Sequence, residues 1–416
     1  MAADARSATR LHADLKGSIA AMFRIEMLPA AHGDCLWIEY GDGREVHRIL
    51  IDGGPAHAYP ALRERILHLP AGERRFDLLV ITHIDADHIE GVVRLLLDAE
   101  ALDCRFERIW FNGRDQLNAV PDPAGEPLGG VQGELLGMLI ADYEQRTGQA
   151  VHNLGFAGAL AAIDRKDAAL PVVELPGACR LTLLSPDHER LLELKDNWAK
   201  ELKAARVPSG DIAKLRERLA ASRSLRPLGD VLGADDDLDD NAPDDETDAD
   251  LADTLGGGTG EPGADAPFGG DTSRANGSSI ALLLEYPAGQ PEVRFLLTGD
   301  AWAPVLEASL DRLLAPGARL ALDGFKLAHH GSVANISEPL LARLQCANYL
   351  ISTNGAIFHH PHPRCVELLL KSHPGPGKPR LHFNYLTSTT EAWSRKADQT
   401  ARRYQAFHPK GLSLGF

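Results

Sequence analysis

The densest group of chemically competent side chains lies between Thr82 and Gly91, in the stretch THIDADHIEG. Within six consecutive positions it holds four potential metal ligands, namely His83, Asp85, Asp87 and His88. Neutral imidazole and carboxylate oxygens suit Zn²⁺, and the share of carboxylates also admits Mn²⁺. The stretch follows an apolar strand, so a tight turn can direct the first two ligands at one ion and the last two at a second. A polar loop with helix-capping aspartates would explain one aspartate, but not the alternation with two histidines.

Four other segments repeat the plan of an apolar strand that delivers polar side chains. They are ILIDGG with Asp52, FLLTGD with Asp300, LAHHGS with His329 and His330, and HHPHP with His362, which follows the strand-like NYLISTN. Each is weak evidence alone, because a turn after a strand often contains Asp and Gly, and chance clustering of histidines could explain the last. Together they bring metal-competent side chains to several strand ends of one chain.

The elements that must position these residues alternate between strands and helices, which predicts an α/β fold with sheets covered by helices. FRIEMLP, CLWIEYG and HRILIDGG predict an antiparallel meander, because glycine-containing turns separate them. A helix is expected at 60–69, then an apolar strand ending at His83 and a helix from about Ile89 to Leu97. Further strands are expected at 105–112, 179–186, 279–286, 293–300, 324–330 and 348–354.

Taken in chain order, LIDGG, THIDADHIEG, LLTGD, HHGS and HPHP resemble the metallo-β-lactamase fold of binuclear metal hydrolases, an αββα sandwich. Within that fold, HGDCLWIEY, the stretch at Asn276–Ile280 and KLAHHGS are most similar to the ComEC type. That type is the soluble hydrolase domain of the bacterial DNA-uptake channel, together with its free-standing relatives. The resemblance covers about residues 23–370, apart from insertions. We see no counterpart of the membrane channel, so the resemblance does not imply transport.

The resemblance implies a role for each matching residue. The first two ligands of THIDADHIEG would hold one metal ion, and the last two would hold the second. Asp300 would bridge the ions, and His362 would complete the second site. Asp52 would orient ligands from beneath the metals, while His329 and His330 would face the substrate and donate to an oxyanion or a leaving group.

The sequence departs from the family pattern at two points. Asp85 stands where most relatives have a second histidine, and the ComEC type also has aspartate at this position. A carboxylate oxygen is a harder ligand than an imidazole nitrogen, so the site favours harder metal ions. The usual histidine of the third motif has no clear counterpart, although His152 and His188 are candidates. Alternatively, His329 or His330 is itself the replacement metal ligand.

A pair of divalent ions activates water and stabilises the charge that develops on phosphate oxygens. We therefore expect a metal-dependent phosphodiesterase, and the resemblance to the ComEC type implies a nuclease that acts on DNA. The alternatives are a hydrolase of small esters, phosphocholine, lactams or cyclic nucleotides on the same metals, and a catalytically weak regulatory module. Basic residues are scattered and form no evident stripe with aromatics; candidates are Arg94, Lys326, Arg364, Lys371 and Arg402–Arg403.

The chain is expected to consist of a flexible leader at 1–22 and one hydrolase domain at 23–416 with two insertions. Residues 187–225 have helical spacing and predict a helical insertion that is broken near Pro208–Gly210. Residues 229–271 are rich in Asp, Gly and Pro and predict a disordered acidic insertion.

The acidic insertion accounts for the net charge of −16 over 416 residues. Fifteen of the 59 acidic residues lie between Arg226 and Arg274, where there is no Lys or Arg, and the remaining 44 acids nearly balance 43 bases. The charge therefore does not argue against an anionic substrate elsewhere. We hypothesise that the tethered acids imitate a phosphate backbone over the metal cleft and restrain the enzyme until a partner protease cuts the loop. A solvated linker without effect is the alternative.

Apolar runs, the first residues and the cysteines indicate the cellular location to expect. No apolar run approaches the ~18–20 residues needed to span a bilayer, and the charged first residues do not predict a secretory signal. Five scattered cysteines form no C-x-x-C pair and predict neither a disulfide framework nor a zinc finger. A cytoplasmic protein without membrane association is therefore expected.

Overall fold

The computed structural model describes residues 22–42, 44–120, 135–204, 270–374, 377–408 and 412–415, with backbone alone at 199–204 and 412–413. The predicted leader therefore lies outside the described residues, except for its last position. The same holds for the helical insertion beyond residue 204 and for the acidic insertion up to residue 269. The domain boundaries stay predictions.

The strands are short, and most are buried. They are β1 Met22–Met27, β2 Leu36–Gly41, β3 Val46–Ile51, β4 Arg75–Phe76, β5 Leu78–Val80, β6 Arg105–Phe106, β7 Ile109–Trp110, β8 Val172–Leu175, β9 Cys179–Ser185, β10 Ala281–Tyr286, β11 Val293–Leu297, β12 Leu320–Leu322, β13 Gly324–Lys326, β14 Leu344–Cys346, β15 Asn348–Ile351, β16 Arg380–Phe383, β17 Gln405–Phe407 and β18 Leu412–Gly415.

The helices lie between these strands, as an α/β chain requires. They are α1 Tyr59–Leu67, α2 Ala86–Asp98, α3 Arg114–Ala119, α4 Leu135–Thr147, α5 His188–Ala204, α6 Arg274–Gly277, α7 Ala303–Leu313, α8 Glu338–Ala342, α9 Pro363–Ser372 and α10 Lys396–Ala401. Among the described helices, none is long and apolar enough to cross a membrane.

Two large sheets organise the chain, and two small strand pairs, β12–β14 and β4–β6, accompany them. The first sheet has the order β18-β1-β2-β3-β5-β7, and the second has the order β17-β16-β15-β13-β11-β10-β9-β8. The antiparallel meander predicted for β1, β2 and β3 is confirmed. The prediction of one strand at 105–112 is wrong, because this segment forms two short strands. The first, β6, pairs with β4, and the second, β7, joins the first sheet beside β5. The fold is mixed α/β, as expected.

Two hydrophobic clusters hold these layers together. One joins inward residues of both large sheets, where the ring of Phe23 from β1 stacks on Phe295 from β11 at 5.3 Å. The other joins the first sheet to α1, α2 and α4, with Trp37 and Leu50 packed among residues such as Val92. The first sheet is thus covered on both faces, which explains why β2 is buried along its whole length.

Parallel pairing brings the carboxyl ends of several strands to a common edge. In the first sheet β3 pairs in parallel with β5, and in the second sheet β11, β13 and β15 pair in parallel. In open α/β sheets, ligands bind beyond such strand ends. Asp52 directly follows β3, while His83, Asp300 and the pair at 329–330 come within four residues of the ends of β5, β11 and β13.

Two glycines let α2 approach the first sheet closely. A Cβ on Gly91 would lie 2.0 Å from the carbonyl oxygen of Gly53, and one on Gly53 would lie 2.4 Å from the amide nitrogen of Val92. Neither contact is possible for a larger residue without backbone movement. The glycines in LIDGG and HIEG therefore set how deeply α2 sits beside the strand ends.

Candidate metal centre

The carboxylate of Asp300 lies at the centre of four imidazoles. Its Oδ2 atom is 3.9 Å from His83 Nε2, 3.5 Å from His88 Nε2, and 3.8 Å from Nε2 of both His329 and His330. Asp300 is only 2% exposed, and its Oδ1 atom has no hydrogen-bond partner. Residues separated by more than two hundred positions thus converge on one buried oxygen.

The THIDADHIEG turn supplies the first part of this cluster. Helix α2 begins at Ala86, not near Ile89 as expected, because the backbone of Asp85 accepts the amide of His88 at 2.9 Å. The Asp85 side chain makes no capping hydrogen bond and instead lies 3.3 Å from His83 Nε2. Capping therefore does not account for this aspartate, and its carboxylate is directed toward the imidazoles.

The first turn of α2 carries two further ligand candidates. Asp87 Oδ2 lies 3.3 Å from His330 Nε2 and 3.8 Å from His88 Nε2. Both Asp87 and His88 are buried. The turn therefore contributes a carboxylate and an imidazole to the side of the cluster that contains His330.

Asp52 fixes the orientation of His88 from behind. Its carboxylate accepts hydrogen bonds from the amide and the hydroxyl of Thr82, at 2.8 and 2.7 Å, and lies 2.8 Å from His88 Nδ1. With Nδ1 donating to Asp52, His88 Nε2 is left as an acceptor that faces Asp300. Asp52 has φ 58°, a left-handed conformation that aspartate tolerates better than most residues. The resemblance implies a ligand-orienting role for Asp52, and its contact with His88 is compatible with that role.

An unusual turn presents the two adjacent histidines. His329, His330 and Gly331 have φ values of 46°, 54° and 89°, three left-handed residues in succession. Such backbone is costly for non-glycine residues and persists only where surrounding contacts impose it. His330 Nδ1 lies 2.9 Å from the carbonyl oxygen of Ser352 and 3.3 Å from Asp34 Oδ1. These contacts leave His330 Nε2 directed at Asp300 and Asp87.

A buried ion pair that was not predicted supports this turn. Lys326 is 0% exposed, and its ammonium donates to Asp34 Oδ2 and to the carbonyl oxygen of Leu327. Burial alone would raise the pKa of Asp34, but Lys326 and His330 hold it below its usual value. HGDC and KLAHHGS carry these residues, yet no spacing in the sequence indicates that positions 34 and 326 meet.

His329 is held by a polar network that includes the last acid of the acidic insertion. Its Nδ1 atom lies 3.1 Å from Asn335 Oδ1 and 3.7 Å from Asp271 Oδ2. Asp271 in turn accepts hydrogen bonds from the side chains of Asn276 and Asn335, at 2.7 and 2.8 Å. Burial would lower the pKa of His329, but Asp300 and Asp271 raise it to about 9. Sequence reasoning missed Asp271 as a site residue because it ends a run of similar aspartates.

His362 belongs to none of the compact His/Asp groups of the described residues, so its expected role in the second site stays a prediction. It stands at the start of α9, where its Nδ1 accepts the amide of Arg364 at 3.2 Å. The neighbouring His360 lies closer to the centre, with its ring 5.1 Å from the ring of His329. His362 thus caps α9 through Nδ1, and the ring from this loop that contacts His329 is that of His360.

The two candidates for the third-motif histidine also lie elsewhere. His152 Nε2 is 2.9 Å from the carbonyl oxygen of Phe111, beyond the end of β7. His188 is the first residue of α5. Neither belongs to the compact His/Asp groups of the described residues, whereas His330 does.

The residues present fit a divalent cation. Compact groups of three ligand atoms within 4.8 Å of one another include His83, His88 and Asp300, and also Asp87, His88 and His330. The Nε2 atoms of the three histidines in these groups are buried without a hydrogen-bond partner. Neutral imidazole nitrogens and carboxylate oxygens that converge without partners are a suitable donor set for a transition metal.

The charges of the buried residues also fit a bound cation. Asp34, Asp52, Asp87 and Asp300 are buried, and the buried Lys326 pairs with Asp34. Burial would lower the pKa of His88, but the carboxylates of Asp300, Asp87 and Asp52 raise it well above its usual value. Buried carboxylates require compensating positive charge. The centre therefore favours bound positive charge, whether as protons on the imidazoles or as a cation that replaces them.

No protein-family model matches the chain, and no curated protein matches it either. What the centre does is therefore inferred from its own residues, their burial and their charges.

Proposed function

We propose that the chain is a metal-dependent hydrolase that cleaves phosphodiester bonds, and that its substrate is nucleic acid, specifically DNA. The observation that carries this proposal is the buried Asp300 carboxylate, whose Oδ2 lies within 3.9 Å of four imidazole Nε2 atoms. A carboxylate shared among several imidazoles in this way suits a pair of ions better than one.

Two overlapping ligand sets support a binuclear centre of Zn²⁺ or Mn²⁺. His83, Asp85 and Asp300 would hold one ion, while Asp87, His88 and His330 would hold the other. Asp300 would be shared between the two sets. When bound, such ions would supply Lewis acidity toward a phosphate and a nucleophile at neutral pH.

The remaining residues of the centre position groups around the scissile phosphate. His329 is the most exposed of the four imidazoles, with 18% of its side chain accessible. Its Nδ1 contacts Asn335 Oδ1, and because its pKa is raised to about 9 the ring is protonated on both nitrogens, so Nε2 can donate to a phosphate oxygen or to the leaving oxygen. Asp52 acts behind His88 and keeps that ligand in one orientation.

The architecture supports assigning the chain to the metallo-β-lactamase fold, and within it to the ComEC type. Two large sheets share a core, helices cover the outer face of the first sheet, and the centre lies beyond parallel strand ends. The expected αββα sandwich would have this arrangement. The assignment belongs to the proposal, together with the cytoplasmic location and the regulatory role of the acidic insertion.

Metal analysis and a substrate panel test the proposal together. The purified protein should contain Zn or Mn and hydrolyse bis-p-nitrophenyl phosphate and DNA. Asp300→Asn should lower activity by more than about a hundredfold, because even partners behind a ligand contribute 10–100-fold. Asp311→Asn, at an exposed position of α7, is the matched control and should leave activity unchanged.

The same panel separates the alternatives. RNA, a cyclic nucleotide, a phosphocholine ester and a lactam should be poorer substrates than DNA. Efficient cleavage of one of the last three, without cleavage of DNA, would favour a small-molecule hydrolase. Bound metal without hydrolysis of any of these substrates would favour a regulatory module, and full activity after removal of the metal would contradict the proposal altogether.

A further inference from the structure

A row of rings adjoins the metal centre. Phe358 is partly exposed, and its ring stacks on His360 at 5.9 Å with an interplanar angle of 24°. The edges of two other histidines meet it, with ring centroids at 5.9 Å for His329 and 6.4 Å for His32. We refer to His32, Phe358 and His360 as the aromatic shelf.

The shelf connects directly to the residues around Asp300. His329 contacts Phe358 on one side, and its Nε2 is 3.8 Å from Asp300 Oδ2 on the other. His32 precedes Gly33, whose Cβ position would lie 1.8 Å from the carbonyl oxygen of Asp87. Both ends of the shelf are therefore tied to the turns that carry the ligand candidates.

The loop that carries Phe358 is fixed against its neighbours. Gly355 has φ 69°, and a Cβ there would lie 2.3 Å from Thr389 Oγ1 and 2.8 Å from the carbonyl oxygen of His360. Such close packing holds the loop in one arrangement. A positioned ring loses little conformational entropy when a planar ligand stacks on it.

Phe358 contributes a flat apolar surface to a site otherwise made of carboxylates and imidazoles. A metal centre that only clamps a phosphate has no use for such a surface. Aromatic side chains beside a phosphate site are the usual platforms for nucleobases, and one stacked base contributes about 1–3 kcal/mol.

Resting on the proposed function, we infer that the aromatic shelf is a nucleobase subsite, in which a base next to the scissile phosphate stacks on Phe358. His329 then lies between the base and the phosphate. A base in a duplex is already stacked on its neighbours, so the subsite takes single-stranded nucleic acid or a splayed end.

Two esters with the same leaving group test the subsite. Thymidine 5′-(p-nitrophenyl phosphate) carries a base, whereas methyl p-nitrophenyl phosphate does not. Phe358→Ala should lower kcat/KM for the thymidine ester by about 5–150-fold, the range equivalent to one stacked base, and leave the methyl ester nearly unchanged. Phe407→Ala is the matched control, since Phe407 is 40% exposed and lies on β17 at the edge of the second sheet.

Direct binding separates this inference from the proposed function. A fluorescent methylphosphonate oligothymidine is uncharged and uncleavable, so its anisotropy reports base contacts in the holoprotein without turnover. Its Kd should rise at least fivefold in Phe358→Ala and in Phe358→Leu, which retains apolar volume, but not in Phe407→Ala. A matching duplex should bind more weakly to the wild-type protein.

Equal losses on both esters, or an unchanged Kd in both Phe358 variants, would overturn the subsite even if the wild-type enzyme cleaves phosphodiesters. If the wild-type protein cleaves neither ester, the proposed function fails. The subsite would then still stand on a Kd that depends on Phe358.

Discussion

The two halves of the candidate metal centre are built in different ways. On the first-sheet side, His83, Asp87 and His88 occupy a strand end and the first turn of a regular helix, with Asp52 behind them. On the second-sheet side, His329 and His330 occupy consecutive left-handed residues that no regular element imposes. The first half follows from local geometry, whereas the second depends on contacts from distant parts of the chain.

This difference shows where the centre is vulnerable. A side chain on the first turn of α2 keeps its orientation as long as α2 packs against the first sheet. The close contacts at Gly53 and Gly91 maintain that packing. A ligand on a strained turn keeps its direction only while Ser352 and the Lys326–Asp34 pair restrain it. Substitutions in the two halves should therefore fail for different reasons.

We expect the largest difference in activity and metal content between variants of two histidines that the sequence analysis assigned to the same metal site. His88→Ala should lower activity by more than about a hundredfold and reduce bound metal, because it removes a proposed ligand atom. His362→Ala should retain metal and activity and lose at most about 1 kcal/mol of stability through its cap. Elemental analysis and kinetics on both variants check this, and loss of metal from His362→Ala would restore the expected ligand role.

The buried ion pair behind the second half should matter for stability. Lys326→Met leaves Asp34 buried with His330 but without its lysine partner, so the free energy of unfolding of the metal-free protein should fall by about 3–5 kcal/mol. Adding Asp34→Asn should recover much of that loss. Arg343→Met removes the exposed partner of Asp311 and should cost less than about 1 kcal/mol. Denaturant unfolding distinguishes these variants, and equal effects of the two single substitutions would contradict the assignment.

Two positioning carboxylates sharpen the contrast further. Asp52→Asn should weaken metal affinity by about 10–100-fold, because Asp52 orients the ligand His88. Asp271→Asn should leave metal affinity intact and lower kcat by about tenfold, because Asp271 acts on His329, which we place at the substrate. Competition with a chromogenic chelator measures the first effect, and steady-state kinetics measure the second. The same loss of metal in both variants would place His329 among the ligands.

The smallest effect concerns a second-sheet histidine outside the centre. Burial, with a smaller contribution from Arg380, lowers the pKa of His382 to about 4. The unfolded chain, with a pKa near 6.5, therefore binds this proton first, and stability falls as the pH decreases through 6.5 toward 4. His382→Gln should remove about 1 kcal/mol of the loss between pH 7 and pH 5.5. Denaturant unfolding of the wild-type protein and of His382→Gln at both pH values gives this difference.

The sequence was informative wherever the chemistry is local. Apolar strands followed by polar residues correctly indicated which segments end at the site, and the meander of β1 to β3 followed from its turns. The spacing of His83 to His88 placed four candidate ligands in one turn, although the helix begins earlier than expected.

What could not be predicted depends on long-range contacts and on single dihedral angles. Asp34 and Lys326 are 292 positions apart, so no periodicity relates them. In HHPHP, the choice between His360 and His362 depends on how the loop enters α9, which the composition of the loop does not specify. The involvement of His330 depends on a left-handed backbone that only tertiary contacts impose.

The placement of the ligands on both sheets has a consequence for the folded chain itself. His83 and His88 follow strands of the first sheet, whereas Asp300 and His330 follow strands of the second, so an ion held between them would act as a cross-link. By mass action, an ion at a hundredfold excess over its Kd would stabilise the native state by about 2.7 kcal/mol. A chelator would then behave as a mild denaturant, and a cell short of the metal would lose the protein to degradation as well as its activity.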